Sequence, residues 1–451
     1  MSVDNAIDQF PLPPLAEGLP ILGNTLAMRQ DLGAFFLRQY KQLGSIFRAR
    51  AFKQEFVVLA GAQANTFVSQ QGAEIFRSPK VWKELGHELG NPYGILAIDG
   101  EPHTQLRKVL KPAYSANHFL SDIPLMTEIA QNVLNRFQVG EEVSVLHLFR
   151  LIITEQLGRA LANHAPGENL QHTITTIRIA IKVYLTRQMP AFMLKSPSYQ
   201  RAKRHFLQMG HEIVAEHRAT TREKKDLVDD ILAASQKPDF QTLLGSEEQI
   251  VFTALGPFIA GVDTVANEST FMLYELLNHP DILAQCVAEA DQFFSQGLPT
   301  AEQIRAHGVL RRAMMETIRL HPISVGIKST ATRDFAFAGH RVKKEQDIVT
   351  ATTVSHFQPE LFPNPYVFDI ERYSEERREH KQRGAYMPFG IGAHSCLGTS
   401  IAEAMIPLLM ATLLHTVRLK RVHPEARLRV KNDPIPTFGQ AFRVSFCERR
   451  T

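Results

Sequence analysis

The sequence predicts a mainly α-helical chain with small β-sheets, an α+β class, on three observations. Apolar residues recur at helical spacing from just past residue 61 to about residue 320. Past Pro322 the texture changes to short strand-like runs, "DFAFAGHRV" and "QDIVTATTV", and then to a loop crowded with proline and charge. Near the start, "GSIFRARAFKQEFVVLAG" at 44–61 mixes β-branched and aromatic residues with partial alternation, which predicts a small hairpin.

In chain order, "FPLPPLAEGLPILGN" at 10–24 is too rich in proline and glycine for a regular helix or a central strand, so 1–24 reads as an ordered lead-in. After the hairpin, turns such as "NPYG" at 91–94 and "LNHPD" at 277–281 punctuate the helices. A long apolar helix covers 254–277, where Gly256 and Pro257 weaken the hydrogen-bond ladder and predict an opening or kink. A last apolar helix, roughly 397–415, precedes a strand-like tail. No internal repeat or low-complexity linker interrupts the chain, which predicts a single domain over 1–451.

The 451 residues, 44% of them hydrophobic, suffice for a large core. Fifty Lys and Arg against 46 Asp and Glu leave a net charge of +4, which gives no sign of a nucleic-acid protein. Cys286, Cys396 and Cys447 are odd in number and form no CxxC pair, so neither a disulfide framework nor a zinc cluster is expected, and a reducing, cytoplasmic setting follows. The opening "MSVDNAIDQF" carries acids where a signal peptide has a basic end, and no uninterrupted apolar run reaches the length of a membrane span.

The segment with most chemical content is "FGIGAHSCLG" at 389–398. Its glycines permit positive φ and close approach of backbone to a flat ligand, and a thiolate just before a helix is favoured by the helix dipole. A lone cysteine also serves as a small buried hydrophobe, and these residues by themselves leave both roles open.

The order F-G-x-G-x-H-x-C-x-G resembles the haem-binding loop of the cytochrome P-450 superfamily at every fixed position. The resemblance implies the P-450 fold, with haem between a long distal helix and a proximal cysteine loop. It implies that Cys396 is the axial thiolate on the iron of haem b, with Phe389, Gly390 and Gly398 shaping the loop and His394 hydrogen-bonding a haem propionate. Such a thiolate pushes electron density onto iron and favours O–O cleavage.

Other segments match in the family's order. In "METIRLHP", Glu316 and Arg319 share a helix face at i, i+3, as solvated helix pairs commonly do. The segment resembles the family's E-x-x-R motif, completed by Arg372 of "FDIERY", and implies a buried network that locks the loop beneath the haem. Ala260, Gly261, Asp263 and Thr264 resemble the [A/G]-G-x-[D/E]-T motif of the distal helix. There the small residues leave room for O2, and the carboxylate and hydroxyl deliver protons. A threonine within a helix is otherwise a back-bonded residue of no further role. "GEPHTQLRKVLKPAY" places His103 and Arg107 at i, i+4 and resembles the H-x-x-x-R helix that holds the propionates. Lys328 stands nine residues after Arg319, where an arginine contacting a propionate is common. The chain departs from the family at Met405, where a glutamate is frequent, and in having Trp82 as its one tryptophan, so the propionate-binding tryptophan of some relatives is absent.

The implied function is that of a haem-thiolate monooxygenase inserting one oxygen atom of O2 into a lipophilic small molecule such as a terpenoid, fatty acid or sterol. Trp82, Leu85, Phe258, Val325 and Phe438 are candidate pocket residues, although each is equally a core residue by type. No flavin or iron–sulfur module is evident, so electrons are expected from a separate ferredoxin or flavodoxin with its reductase. Its docking face would include Arg107, Lys108, Lys111, Arg377, Arg378, Lys381 and Arg383, interrupted by Glu375, Glu376 and Glu379. Two alternatives are a peroxide-driven haem-thiolate enzyme, against which Asp263 and Thr264 argue, and a non-catalytic haem ligand-binding protein, which has no need of them.

Overall fold

A computed structural model of the protein describes residues 7–78, 80–220 and 223–450. They fall into two compact units. The first comprises the described residues of Met1–Lys80 and Ile318–Cys396, and the second comprises those of Val81–Thr317 and Leu397–Thr451.

The first unit is organised by a five-stranded sheet. β1 (Ile46–Ala51) and β2 (Gln54–Ala60) form the hairpin expected at 44–61, in register from Ile46 opposite Leu59 to Ala51 opposite Gln54. β2 then runs parallel to β8 (Asp347–Ala351), β8 pairs antiparallel with β5 (Ile327–Ala331), and β3 (Phe76–Arg77) closes the far edge. The continuous apolar run Val57 to Ala60 suits a strand covered on both faces. Alternate residues serve two different cores: Val57 and Leu59 join Ile348, Ala64 and Val68, whereas Val58 and Ala60 join Val349, Phe35 and Phe36. The first core is backed by the helix Gly61–Ile75 and the second by the helix Leu32–Leu43. "DFAFAGHRV" folds as the hairpin β6 (Phe335–Phe337) and β7 (His340–Val342), turned by Ala338 and Gly339, both at positive φ. The proline-rich loop beyond β8 contains the short 3-10 turns Val354–Phe357, Ile370–Tyr373 and Glu379–Lys381. The lead-in is tied down by bridges from Leu15 to Arg48 and from Gly23 to Ala51.

The second unit is helical. Its interior is formed by the helices Val145–Ala162, Val262–Asn278 and Thr399–Thr416, each buried over most of its residues. Among the described residues, Thr399–Thr416 is the one helix long and apolar enough to cross a membrane, and it is 72% buried within the fold. The strand-like tail becomes β12 (Arg443–Arg449), between β9 (Val417–Arg421) and β4 (Glu142–Ser144). A small hairpin, β10 (Lys431–Asn432) with β11 (Pro436–Thr437), lies just before it.

Candidate functional site: a cysteine loop and an acid-threonine helix

In the first unit the cysteine loop is anchored well before the sulfur. The buried side-chain amide of Asn65 donates to the carbonyls of Thr352 and Gly384 at 2.9 Å each. Ser355 Oγ donates to the Ala385 carbonyl at 2.7 Å. Gly384 is left-handed at φ +73, and a Cβ there would lie 2.3 Å from the Ala62 carbonyl oxygen, so no larger residue fits. Further along, the Cys396 N–H donates to the Phe389 carbonyl at 2.7 Å and closes the loop on itself. Gly390 and Gly392 are left-handed at φ +76 and +75, and a Cβ on Gly390 would stand 3.0 Å from Ile327 Cδ1. The donor set is therefore one soft sulfur on a tight loop with two bare backbone positions, which suits a thiolate ligand to haem iron. His394 Nε2 lies 3.3 Å from Ser78 Oγ.

His356 links this loop to the helix carrying the E-x-x-R residues. Met387 N–H donates to His356 Nε2 at 3.1 Å, so the ring's proton sits on Nδ1 and is directed at the Arg319 carbonyl 3.3 Å away. Complete burial first, and the Arg319 charge second, push the imidazole down to about 3, so it is neutral. Tyr386 stacks on its ring with centroids 5.4 Å apart. No motif marks His356 in the sequence; its only signal is a histidine within an apolar stretch.

Glu316 and Arg319 lie on the helix Val309–Leu320, and both they and Arg372 are fully buried at 0% exposure. Arg319 Nη1 donates to the carbonyls of His356 and Pro365, each at 2.7 Å, and its guanidinium lies 5.2 Å from the Phe362 ring centre. Arg372 Nη1 pairs with Glu379 at 2.9 Å, and Arg377 contacts the other Glu379 oxygen. Glu379, which reads in sequence as one acid interrupting a surface run, is thus a buried partner. Arg377, read as a docking cation, is held by Glu379 and Asp369. Arg378, Lys381 and Arg383 are exposed, and in the second unit so are Lys108 and Lys111.

In the second unit the long helix breaks where Gly256 and Pro257 were expected to open it, into Glu247–Ala254, Gly256–Ala260 and Val262–Asn278. Gly261 sits at the second break. A Cβ there would lie 2.6 Å from the Pro257 carbonyl oxygen and 2.8 Å from Leu157 Cδ1, so glycine lets this segment approach the helix Val145–Ala162. Thr264 Oγ donates to the Ala260 carbonyl at 2.7 Å, with the Gly261 carbonyl 3.2 Å away. Asp263 accepts from Arg150 Nε at 2.8 Å. The two belong to helices 113 positions apart, a separation at which sequence offers no cue to the pairing.

His103 and Arg107 occupy one face of the helix Gly100–Leu110, His103 being buried. Lys328 lies exposed on β5. Of the candidate pocket residues, Trp82 and Leu85 pack with Ala180, Phe252 and Ile259. Phe258 is buried, Val325 packs on the core behind β8, and Phe438 lies against Phe271 and Tyr274 with ring centres 4.9 and 4.7 Å apart.

The family model described as cytochrome P450 matches residues 13–439. The chain belongs to the cytochrome P450 family. This P450 is 26% identical over 447 residues to an abscisic acid 8'-hydroxylase of Solanum lycopersicum, covering 96% of this chain and 91% of the relative. It is 24% identical to the cyclooctat-9-en-7-ol 5-monooxygenase of Streptomyces melanosporofaciens, over 90% of this chain and 88% of that one. Among solved structures, the retinoic acid bound cyanobacterial CYP120A1 superposes with a TM-score of 0.83 at 25% identity, covering 98% of this chain and all of that one. The P450 is an oxidoreductase, a haem monooxygenase with a cysteine thiolate ligand to iron. Like its family it binds lipophilic substrates and takes electrons from redox partners.

Proposed function

We propose that this P450 inserts one oxygen atom of O2 into a terpenoid, with electrons from a separate ferredoxin or flavodoxin. It does so as one catalytic domain over 1–451 in the cytoplasm, with fatty acids and sterols as the neighbouring substrate classes. The observation that carries the O2 mechanism is the adjacent pair Asp263 and Thr264 beside a helix break, with the hydroxyl of Thr264 turned onto the Ala260 carbonyl. Haem b, bound through Cys396 Sγ, supplies O2 activation and electron exchange. Thr264 Oγ donates its proton to the Ala260 carbonyl, from which a rotation of the hydroxyl would release it, and Asp263 supplies the neighbouring carboxylate. Arg150 fixes the Asp263 carboxylate in one orientation through its 2.8 Å contact. His103, Arg107, His394 and Lys328 are assigned to the haem propionates. Lysine supplies charge there without the bidentate fork of arginine. The substrate reading is supported by three relatives whose named compounds, abscisic acid, cyclooctat-9-en-7-ol and retinoic acid, are all isoprenoid.

The test is Thr264→Ala, assayed for product and peroxide per electron consumed, with a terpenoid that shifts the Soret band of the ferric protein toward high spin. Loss of coupling to peroxide is expected. Full coupling in the variant would overturn the proton-delivery role. A panel in which only fatty acids or sterols move the band would replace the terpenoid.

A further inference from the structure

In the helical unit a cavity of about 460 Å³ opens between the helices Ile123–Leu134 and Val145–Ala162 and the start of Leu170–Tyr184. That volume suits a small molecule. Its origin is the tight return of the chain after the second helix. Asn163 ends that helix in the left-handed conformation at φ 41, and a Cβ on Gly158 would lie 2.3 Å from the His164 carbonyl oxygen. Gly167, which borders the cavity, would meet nothing within 4 Å if a Cβ were added, so this side stays open. The cavity is separate from the acid-threonine pair. Arg150 and Leu157 turn one flank of the helix Val145–Ala162 toward Asp263 and Gly261, whereas Leu151, Thr154 and Glu155 line the cavity from another.

The lining differs from end to end. Ile129, Val133 and Thr154 are buried, Leu151 and Leu170 are half-buried, and Arg136 is exposed at the mouth. Helical threonines of this fold such as Thr253, Thr270 and Thr412 turn their hydroxyls onto the carbonyl four residues back. Thr154, only 3% exposed, leaves its Oγ without a hydrogen-bond partner. A buried hydroxyl in that state costs free energy, and a ligand oxygen would recover it. At the mouth the acids are engaged, Glu155 with Arg159 at 3.5 Å and Glu128 with the Asn132 amide at 3.5 Å. Arg136 enters no ion pair among the described residues, and its planar fork matches a carboxylate. We infer that this cavity binds an aliphatic hydroxy acid. The carboxylate sits on Arg136, the hydrocarbon lies against Ile129, Val133, Leu151 and Leu170, and the hydroxyl meets Thr154.

The test is calorimetric titration of the full, haem-loaded chain with decanoic acid and with ω-hydroxydecanoic acid. A bulky azole whose nitrogen ligates the iron occupies the haem side throughout, its saturation read from the Soret band. The parent is expected to bind the hydroxy acid at one site and to prefer it over decanoic acid by about threefold to tenfold, the worth of one hydrogen bond. Thr154→Val should abolish that preference and leave decanoic acid within about twofold. Arg136→Gln, at an exposed position that the fold tolerates, should weaken both acids about tenfold. Loss of all binding once the azole is in place would assign the acids to the haem side and overturn the inference. Equal affinity of the parent for the two acids, a preference that survives Thr154→Val, or unchanged binding in Arg136→Gln would each overturn it as well.

Discussion

Replacing His356 with phenylalanine tests how the cysteine loop is tied to the helix beneath it. The neutral imidazole bridges the Met387 N–H and the Arg319 carbonyl, and phenylalanine fills the space while stripping both contacts. With about 1–3 kcal/mol for each of the two buried polar groups left unsatisfied, the variant is expected to lose about 2–6 kcal/mol at pH 7. The pH dependence is the sharper readout. A histidine at about 3 in the fold, against 6.5 unfolded, takes up its proton more readily once the chain opens. Its neutral form therefore stabilises the fold fully above 6.5, and that contribution is lost as pH falls from 6.5 toward 3. Between pH 7 and pH 5 the loss from this one group is about 2 kcal/mol, at 1.36 kcal/mol per pH unit. Urea midpoints of parent and His356→Phe, followed by circular dichroism and the Soret band at both pH values, should show the parent weakening more on acidification. An identical acid response in the two proteins would refute the tautomer and burial argument.

Glu379→Gln removes the carboxylate facing buried Arg372 and should cost about 3 kcal/mol with accelerated haem loss, whereas exposed Glu375→Gln should change the unfolding free energy from urea titration by less than about 0.5 kcal/mol. Gly390→Ala places a methyl 3.0 Å from Ile327 Cδ1 at φ +76 and should weaken haem retention in a dialysis assay. Gly439→Ala has similar φ but nothing within 4 Å of the added carbon, and should pay only the backbone strain of about 1–2 kcal/mol.

The pieces of the candidate site that are local in the chain could be picked out in the sequence. The loop at 389–398, the E-x-x-R pair and the acid-threonine pair are each contained in a few residues, and the break at Gly256 and Pro257 followed from their backbone properties. The hairpin at 44–61 was equally local, whereas "DFAFAGHRV", read as a single strand-like run, folds into two strands turned at Ala338 and Gly339. What escaped reading depends on chain closure. Glu379 and Glu375 are indistinguishable by type, and only the fold decides that one meets two arginines while the other faces water. Arg150 meets Asp263 across two helices, and His356 acquires its role from a carbonyl 37 residues earlier in the chain. Phe438, an apolar residue suited to either pocket or core by type, meets Phe271 edge-on.

The parallel pairing of β2 with β8 bears on how the chain is made. Val57 waits for Ile348, about 290 residues later, before the inner edge of β2 is covered. At ribosomal rates of about 5–20 residues per second, that interval is about 15–60 s. Throughout it the nascent hairpin presents the edge of an apolar run, Val57 to Ala60, that is wholly buried in the finished fold. An open, hydrophobic strand edge is a template for pairing with another chain. Production of this P450 should therefore respond to chaperones that shield the emerging amino-terminal third.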